Sequence, residues 1–557
     1  MRIALAQLNF HIANFESNTQ KIIDAIQRCK VAGCDLVVFS EMSICGYPAL
    51  DFLEFDDFIN RCKAAVDSIA LHCNGIAAVV GAPTHNPVLE GKNLYNSAYL
   101  LADGKVAHVA HKALLPTYDV FDEYRYFEPA TEFKCVDYKG VKLAITVCED
   151  LWNLEDDPLY KSCPMDTLIL EQPQLMINIA ASPFNYQHSE TRHQILKKNI
   201  AKYGLPLIYV NQVGANTDLI FDGNSLVMDS DAKVLYRAND FEEDITIVDV
   251  EVGNNNIALT TCEHLLTYDG NNPEVEENRI RRIHDALVLG IRDYFEKMGF
   301  KKAVFGMSGG IDSALVYYLA VKALGAENVL PVMMPSQYSS SGSVSDSERM
   351  IEKLGTASEL ISIKTIFDEF LVALQKLFKA MPFGIAEENI QARIRGVLLM
   401  AISNKHGYIL LNTSNKSELA VGYGTLYGDM CGGLSVIGDL YKTKVYELAR
   451  FINETEEIIP HTIIHKAPSA ELRPNQKDSD SLPDYDILDK ILFEYIEQRM
   501  SIDKIIKLGY DEALVKRILR MVNNNEYKRF QFAPVLRVSP HAFGLGRRMP
   551  LVARYLS

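Results

Sequence analysis

Short apolar runs separated by helical patterns fill the first half of the chain. Two helical patterns, at residues 18–32 and 188–203, lie between such runs. Runs of this length with β-branched members predict buried strands, and their alternation with helices predicts a layered α/β domain with a large sheet. The predicted strands are Ile3–Leu8, Leu36–Phe39, Ile76–Val80, Leu143–Val147, Leu175–Ala180, Leu207–Val210, Leu226–Met228 and Ile245–Val250.

The second half begins with a strand, a glycine-rich turn and a helix in direct succession, KKAVFGMSGGIDSALVYYLAVKALG at residues 301–325. The helix is apolar nearly all round, which predicts burial beside a sheet. A second apolar run, Val329–Met333, completes a βαβ unit. This unit predicts a doubly wound parallel sheet whose ligands bind at the carboxyl ends of the strands.

A polar stretch between the two halves is the best domain boundary. Residues 261–277, TCEHLLTYDGNNPEVEE, carry glycine and asparagine and no long apolar run. We therefore predict a first domain over residues 1–255, a linker over 256–275 and a second domain over 276–557. A chain of 557 residues has room for about two to four domains, each with its own core.

Composition narrows the classes of partner. The formal net charge is −16, which argues against general binding to nucleic acids or membranes. The ten cysteines are scattered without a C-x-x-C pair, so they predict neither a zinc site nor a disulfide framework. No apolar run reaches about 18 residues, and the first residues enter a strand-like run. We expect no signal peptide, no membrane span and a cytoplasmic location with reduced thiols.

The turn SGGIDS, Ser308–Ser313, has the features of a phosphate seat. Its glycines permit close approach of the backbone, and the first amides of the following helix present partial positive charge. The carboxylate of Asp312 would repel an anion unless a cation such as Mg²⁺ lay between them. An ordinary glycine-rich turn is the alternative. The sequence matches neither the Walker loop nor G-x-G-x-x-G, and it resembles the pyrophosphate loop of the N-type ATP pyrophosphatases, which cleave ATP to AMP and pyrophosphate.

Three polar residues of the first half follow the ends of apolar runs. They are Glu41 in VVFSEMSICGYP, Lys112 in VAHVAHKALLP and Cys148 in LAITVCEDLW. Singly, each has an ordinary reading: the charged residues as solvated strand ends and the cysteine as a small core residue. Together they suit covalent catalysis, with Glu41 as general base, Cys148 as nucleophile and Lys112 beside the developing oxyanion.

These segments resemble, in the same order, the Glu-Lys-Cys triad of the nitrilase superfamily of amidases, across almost the whole first half. The resemblance implies a four-layer αββα sandwich and thioester chemistry on an amide. It also implies a second glutamate after the lysine, matched by Glu123, and glutamine-binding roles for Tyr118, Glu123, Ser182 and Lys197.

The second half supplies further candidates near the predicted phosphate seat. The serine-rich segment 334–348 follows a strand and would donate hydrogen bonds to a nucleotide, although it also suits a flexible linker. Arg393 and Arg395 lie on a predicted helix, 387–404, as candidates for phosphates, or else as a solvated helix edge. The loop after the strand 408–411 brings Thr413, Ser414, Lys416 and Glu418 to the sheet edge where the Asp312 cation would lie. Glu418 is therefore a second possible Mg²⁺ ligand.

Several segments of the second half resemble the glutamine-dependent NAD⁺ synthetases, and the similarity extends over both halves of the chain. They are SGGIDS, MPSQYSSSGSVSDSE, ENIQARIRG, NTSNKSELAVGYGT, GDLYKTKVYELA and KAPSAELRPNQKDSDSLPDYDILD. The resemblance implies a ligase that adenylates the nicotinate carboxylate of deamido-NAD⁺ with ATP and Mg²⁺. Ammonia from L-glutamine, passed inside the protein, would then displace AMP. Because a neighbouring subunit can complete such a path, a homo-oligomer is expected. The expected partners are small-molecule substrates.

The same resemblance implies a set of binding residues in the second half. Ser469 stands in P-S-A-E-L where the family's simpler members carry threonine in a P-T-A-D-L-like block, a change that keeps the hydroxyl. The implied ATP-binding residues are Ser308, Gly309, Gly310, Ile311, Asp312, Ser313, Met334 and Thr413. The implied deamido-NAD⁺-binding residues are Arg393, Arg395, Glu418, Lys442 and Ser469, and the implied metal ligands are Asp312 and Glu418.

Other functions remain open at this point. The S-G-G-x-D-S loop also occurs in tRNA-modifying enzymes, in argininosuccinate synthetase, and in GMP and asparagine synthetases. A tRNA enzyme would need a basic domain, GMP synthetase a Cys-His-Glu amidotransferase, and asparagine synthetase an N-terminal cysteine. Another N-type ligase is thus one alternative, and a non-catalytic interaction protein on a nitrilase fold is the other. The latter would be expected to lack Glu41, Lys112 or Cys148.

Overall fold

A computed structural model describes residues 1–154, 158–252, 257–265, 278–379 and 381–555. The chain divides into two compact units, residues 1–277 and 278–557, which we treat separately. Within the described ranges, every helix is too short or too polar to cross a membrane.

The first unit contains fifteen strands and four α-helices among its described residues. They are β1 Arg2–Gln7, α1 Phe15–Val31, β2 Leu36–Phe39, α2 Asp56–Ala70, β3 Ala77–His85, β4 Leu94–Ala102, β5 Lys105–His111, β6 Val136–Tyr138, β7 Val141–Val147, α3 Pro164–Leu168, β8 Leu175–Ala180, α4 His188–Tyr203, β9 Leu207–Asn211, β10 Val213–Asn216, β11 Leu219–Asp222, β12 Leu226–Met228, β13 Val234–Arg237, β14 Asp244–Val252 and β15 Ile257–His264.

These strands form two large sheets and a small hairpin. The seven-stranded sheet has the order β15-β14-β1-β2-β3-β4-β5, and the six-stranded sheet has the order β13-β12-β9-β8-β7-β6. The centres of both sheets are parallel, β1-β2-β3 in one and β7-β8-β9 in the other. The carboxyl ends of the parallel strands therefore gather polar side chains at one edge of each sheet.

The two sheets pack face to face between layers of helices. Ile3 and Leu5 of β1 belong to the core between the sheets, whereas Ala4 and Ala6 face the core under α1 and α2. This alternation follows from the two-residue period of a strand, and near-continuous apolar runs result because both faces are covered. The predicted αββα sandwich is confirmed.

The predicted strands Leu36–Phe39, Leu175–Ala180 and Leu226–Met228 coincide with β2, β8 and β12. Strand β4 was not predicted, because Asn96 and Ser97 interrupt its apolar pattern. Strand β15 lies inside the stretch predicted as a linker, 256–275, and pairs with β14 instead. The rest of that stretch, from residue 266, lies outside the described residues.

The second unit contains five strands and twelve α-helices among its described residues. They are α5 Arg279–Met298, β16 Lys302–Gly306, α6 Ile311–Leu324, β17 Val329–Met333, α7 Ser341–Leu354, β18 Glu359–Leu360, α8 Lys364–Phe378, α9 Ile385–His406, β19 Tyr408–Asn412, α10 Lys416–Val421, β20 Leu434–Ser435, α11 Lys442–Ile452, α12 His461–His465, α13 Tyr485–Ile496, α14 Ile502–Lys507, α15 Glu512–Asn524 and α16 Glu526–Arg529.

The sheet of this unit is parallel throughout, in the order β18-β17-β16-β19-β20. Val304 of β16 packs with α8 and α9 on one face, and the ring of Phe305 contacts Tyr317 of α6 on the other. The chain runs outward from β16 in both directions, so the strand order reverses between β16 and β19. A ligand crevice is expected there, and the predicted doubly wound fold is confirmed.

Candidate active sites

In the first unit, three strand ends supply the predicted triad. Glu41 is separated from the end of β2 by Ser40, Lys112 directly follows β5, and Cys148 directly follows β7. Glu41 and Lys112 are fully buried, and Cys148 is 8 % exposed. Strands β2 and β5 belong to one sheet and β7 belongs to the other, so the thiol comes from the sheet opposite the charged pair.

The ammonium of Lys112 is held between two carboxylates. Lys112 Nζ lies 2.8 Å from Glu41 Oε1 and 2.8 Å from Glu123 Oε1. Burial alone would favour a neutral amine, but the two carboxylates raise the pKa of Lys112 well above its usual value. A permanent positive charge therefore lies in this buried site.

Neutral groups complete the surroundings of both carboxylates. Asn96 Nδ2 donates to Glu41 Oε1 at 2.6 Å, the amide of Ala181 donates to Glu41 Oε2 at 2.9 Å, and the Tyr47 hydroxyl donates to Glu123 Oε1 at 3.0 Å. Burial raises the pKa of Glu123 to about 7, and the neighbouring Lys112 opposes this rise. Glu123 can thus exchange a proton near neutral pH, while Glu41 has three donors fixing its carboxylate.

Cys148 begins the 3₁₀ helix Cys148–Leu151 with a positive φ of 43°. A non-glycine residue in this region is uncommon and typical of functional turns. Burial and the charge of Glu41 raise the pKa of the thiol well above its usual value, and Lys112 lowers it. The thiol is therefore protonated at rest, and a base must take its proton as it attacks.

The predicted glutamine-binding residues occupy different surroundings. The Tyr118 hydroxyl donates to Glu149 Oε1 at 2.9 Å, beside the thiol in sequence. Ser182, two residues after β8, is buried and its hydroxyl lies 2.8 Å from His188 Nε2. Lys197 is on the exposed face of α4, and the described contacts do not bring it to the triad.

Sequence reasoning missed Asn96, Tyr47, Glu149 and Asp150. Glu149 is 4 % exposed, accepts hydrogen bonds from Tyr118 and Tyr160, and has a pKa raised by burial. A carboxylate buried directly after the candidate nucleophile was visible as the sequence Cys-Glu-Asp. The polar Asn96 within the apolar strand β4 was the corresponding signal there.

In the second unit, the SGGIDS turn connects β16 to α6. The hydroxyls of Ser308 and Ser313 lie 3.0 Å apart, and the amide of Gly310 donates to Ser308 Oγ at 3.2 Å. Gly309 has a φ of 74°, and a Cβ atom there would lie 2.4 Å from the carbonyl oxygen of Ser343. Glycine is thus required at 309 by both torsion and space.

Asp312 and Glu418, the predicted metal ligands, lie on either side of the Lys442 ammonium. Lys442 Nζ is 2.5 Å from Asp312 Oδ2 and 3.6 Å from Glu418 Oε1. Asn415 Nδ2 donates to Asp312 Oδ1 at 2.9 Å and its side-chain oxygen caps α10 at Glu418. Burial and the charge of Asp312 raise the pKa of Glu418 to about 8.

This arrangement fits a divalent cation that binds together with phosphates. The described residues contain no group of three or more His, Cys, Asp and Glu side chains that would hold a metal alone. Mg²⁺ commonly uses only one or two carboxylates, with waters and substrate phosphates as its other ligands. The ammonium of Lys442 already stands as a cation between two such carboxylates.

A cavity of about 290 Å³ lies at the crevice between β16 and β19. Its lining includes the SGGIDS turn except Gly309, together with Met334, Thr413, Glu418, Lys442 and Ser469. Arg395 also lines it, and burial lowers the pKa of this arginine to about 10. Arg393 is exposed and its Nε donates to the carbonyl of Leu426, so the two arginines diverge.

Two other expectations for this crevice change in detail. The second part of the serine-rich segment, residues 341–348, forms the start of α7. There Glu471 accepts hydrogen bonds from the hydroxyls of Ser340 and Ser343 at 3.0 and 2.9 Å. Lys416, expected near the Asp312 cation, is fully buried elsewhere, between Asp439 and Glu497. Lys416 and Glu418 are two residues apart on α10, and side chains at this spacing do not share a helix face.

Two family descriptions match the chain in succession. The carbon-nitrogen hydrolase family matches residues 2–254, and the NAD synthase family matches residues 283–532. A glutamine-dependent NAD(+) synthetase of Synechocystis sp. is 44% identical over 560 residues, covering 99% of this chain and 99% of the relative. The Acinetobacter baylyi protein of the same description is 39% identical, covering 99% and 98%.

Solved structures agree with this similarity. A glutamine-dependent NAD+ synthetase from Acinetobacter baumannii, in complex with ADP, has a TM-score of 0.77 and 37% identity, covering 99% of this chain and 98% of that one. A glutamine-dependent NAD(+) synthetase from Cytophaga hutchinsonii has a TM-score of 0.81 at 20% identity, with the same coverage. The second comparison bears on the fold alone.

We predict that Lys442→Met increases the affinity of the nucleotide-free protein for Mn²⁺, used as a probe for Mg²⁺. The change removes the ammonium that neutralises Asp312 and Glu418 and keeps an unbranched side chain. An adjacent opposite charge shifts a carboxylate pKa by about 1 to 3 units, so the affinity is expected to rise at least about tenfold. Titration followed by electron paramagnetic resonance of free Mn²⁺ measures this directly.

Lys444→Met is the matched control, because Lys444 lies on the same helix but is partly exposed and pairs with Glu447 at 2.6 Å. It should leave the Mn²⁺ affinity unchanged. Asp312→Asn added to Lys442→Met should remove the gain. An unchanged or weaker affinity in Lys442→Met would show that this carboxylate pair is not a cation site.

Proposed function

This chain belongs to the glutamine-dependent NAD⁺ synthetases, and we propose that it converts deamido-NAD⁺ to NAD⁺ with ATP and L-glutamine. It is a ligase that forms a C–N bond, with AMP, pyrophosphate and glutamate as the other products. The observation that carries this proposal is the presence of two sites in separate units. One holds a thiol with a carboxylate and an ammonium, and the other holds an anion seat with a carboxylate pair.

In the first unit, Cys148 would attack the carboxamide carbon of glutamine. Glu41 takes the thiol proton as the C–S bond forms and delivers it to the departing ammonia as the C–N bond breaks. Lys112 stabilises the negative charge on the carbonyl oxygen of the tetrahedral intermediate. Water, deprotonated by Glu41, then hydrolyses the thioester to glutamate and restores the thiol.

Substrate recognition in this unit rests on Glu149. Its buried carboxylate accepts hydrogen bonds from two tyrosine hydroxyls. An ammonium group of the substrate would form an ion pair with it and so offset much of the cost of burying its charge. We assign it to the α-ammonium group of glutamine, with Tyr118 holding its orientation and Ser182 donating to the α-carboxylate. Glu123 acts through Lys112, whose charge it shares with Glu41. Lys197 remains only a prediction from family resemblance.

In the second unit, an oxygen of the nicotinate carboxylate would attack the α-phosphorus of ATP. The bond to pyrophosphate breaks, and an acyl adenylate forms. The amides and hydroxyls between Ser308 and Ser313 hold the departing phosphates, and Arg395, which lines the same cavity, adds positive charge. Ammonia then attacks the acyl carbon, AMP leaves, and the excess proton passes to solvent.

Asp312 and Glu418 are the residues that would hold Mg²⁺ with ATP, and the ion would neutralise charge on the phosphates. Lys442, released from these carboxylates, would then be free to pair with the adenylate phosphate. Met334 and Thr413 line the same cavity and are assigned to ATP. Ser469 is assigned to deamido-NAD⁺, and Arg393 keeps that assignment only as a prediction because it is exposed.

Ammonia would pass from the first site to the second without mixing with solvent. The reason is chemical: free ammonia at neutral pH is mostly ammonium, which is not nucleophilic, and water would hydrolyse the adenylate. A homo-oligomer in which neighbouring subunits help to complete such a route, and a cytoplasmic location, also stay predictions.

Cys148→Ala should abolish synthesis that uses glutamine, because no thioester can form. Synthesis from ammonium chloride should continue within about twofold of the wild type, since the second site is in another unit.

Asp312→Asn is the converse variant. It should abolish synthesis from both nitrogen sources and leave glutamate release measurable. Chromatography of NAD⁺ and glutamate measures both pairs of activities.

Equal loss of both synthetic activities in Cys148→Ala would contradict the division of labour. Near-native synthesis by Asp312→Asn from ammonium would contradict the role given to the carboxylate pair. Cys163→Ala is a suitable control for the first variant, because Cys163 is a partly buried thiol of the same unit whose Sγ lies 3.3 Å from the Tyr203 hydroxyl.

Protected transfer of ammonia predicts the isotope content of the product. With glutamine labelled with ¹⁵N in its amide and excess unlabelled ammonium, at a pH where ammonia is appreciable, NAD⁺ should carry mostly ¹⁵N. Mass spectrometry of its amide gives the ratio. Label diluted to the ratio of the bulk solution would mean that ammonia equilibrates with solvent, and protected transfer would be excluded.

A further inference from the structure

Asp150 is a buried carboxylate that the proposed chemistry does not use. It is 1 % exposed and lies two residues after Cys148, in the same 3₁₀ helix. Burial raises its pKa to about 6, although three backbone amides and the nearby Lys112 favour the charged form. A charge removed from water at this cost needs well-placed partners, and the backbone supplies them.

The hydrogen-bond donors of Asp150 lie next to Lys112 and next to Cys148 in the chain. Its Oδ1 accepts hydrogen bonds from the amides of Ala113 at 2.9 Å and Leu114 at 3.0 Å, the two residues after Lys112. Its Oδ2 accepts one from the amide of Val147 at 3.0 Å, the residue before Cys148. One carboxylate therefore joins the backbone after the ammonium to the backbone before the thiol.

This connection matters because the sheets themselves do not provide it. Lys112 follows β5 in the seven-stranded sheet, and Cys148 follows β7 in the six-stranded sheet. Strands in different sheets share no ladder of backbone hydrogen bonds, so their relative position depends on side-chain packing and on single hydrogen bonds between the sheets. The amide of Ala181, after β8, ties Glu41 in this way, and Asp150 does the same for the residues next to Lys112 and Cys148. Apolar packing tolerates small shifts, whereas directed hydrogen bonds to a charged acceptor do not.

We propose that Asp150 is a positioning residue for glutamine hydrolysis, which fixes the Lys112 ammonium relative to the Cys148 thiol. The inference rests on the proposed roles of these two residues. A displacement of about 1 Å between reacting groups costs about 10²-fold in rate. The effect of Asp150 should therefore fall on the chemical step and not on the binding of glutamine.

Asp150→Asn is the sharpest variant, because it keeps the size of the side chain. The amide oxygen still accepts from Ala113 and Leu114, but the amide nitrogen then faces the Val147 N–H, so two donors oppose each other. Asp150→Ala removes both connections. We expect the kcat for glutamine hydrolysis to fall in the order wild type, Asp150→Asn, Asp150→Ala.

The expected fall in kcat is about 10²-fold for Asp150→Asn, with the KM for glutamine changed by less than about threefold. The rate of alkylation of Cys148 by chloroacetamide, followed on its own peptide by mass spectrometry, should fall as well. This second readout requires neither deamido-NAD⁺ nor ATP. A failure of the proposed synthetic reaction would therefore leave the test of Asp150 intact.

Asp244→Asn is the matched control, since Asp244 is another buried carboxylate of this unit, with the Tyr236 and Thr246 hydroxyls as donors. It should leave kcat and alkylation close to wild type. Asp150→Asn with both values equal to those of Asp244→Asn would overturn the proposal. Loss of the fold of the first unit, seen by circular dichroism, would instead mark Asp150 as a folding residue and would also overturn it.

Discussion

A lysine ammonium buried between two carboxylates occurs three times among the described residues, and both proposed sites depend on it. Lys112 lies between Glu41 and Glu123, Lys442 between Asp312 and Glu418, and Lys416 between Asp439 and Glu497. A charge taken out of water costs several kcal/mol unless opposite charges and hydrogen bonds replace the solvent. Each site can keep its charges only because its partners come from different elements of the fold.

The three lysines differ in how completely their partners hold them, and this difference separates their roles. Lys416 also donates to the Ser539 hydroxyl and the His541 carbonyl, so it is fixed on every side and joins α10 to the last part of the chain. Lys112 has two equal contacts in a closed site, which suits a permanent charge beside a reaction. Lys442 has one short contact and one long contact at a cavity, which suits a charge that moves when anions bind.

Local patterns predicted much of the fold, because strand ends and glycine-rich turns are local features. The positions of Glu41, Cys148 and the SGGIDS turn after apolar runs were sufficient to place the chemistry at sheet edges. The side-chain direction of Lys416, by contrast, is decided by Asp439 and Glu497, which are distant in sequence. Asn96 was missed for a similar reason: a polar residue in a strand gains meaning only when its partner Glu41 is known.

The most direct test of the account follows atoms through the whole reaction. The wild-type protein is supplied with ATP, Mg²⁺, deamido-NAD⁺ labelled with ¹⁸O in its nicotinate carboxylate, and glutamine labelled with ¹⁵N in its amide. The account predicts that mass spectrometry finds ¹⁵N in the amide of NAD⁺ and one ¹⁸O in the phosphate of AMP, with unlabelled pyrophosphate. ADP and ¹⁸O-labelled phosphate as products, or AMP without ¹⁸O, would contradict an acyl adenylate and with it the proposed coupling of the two sites.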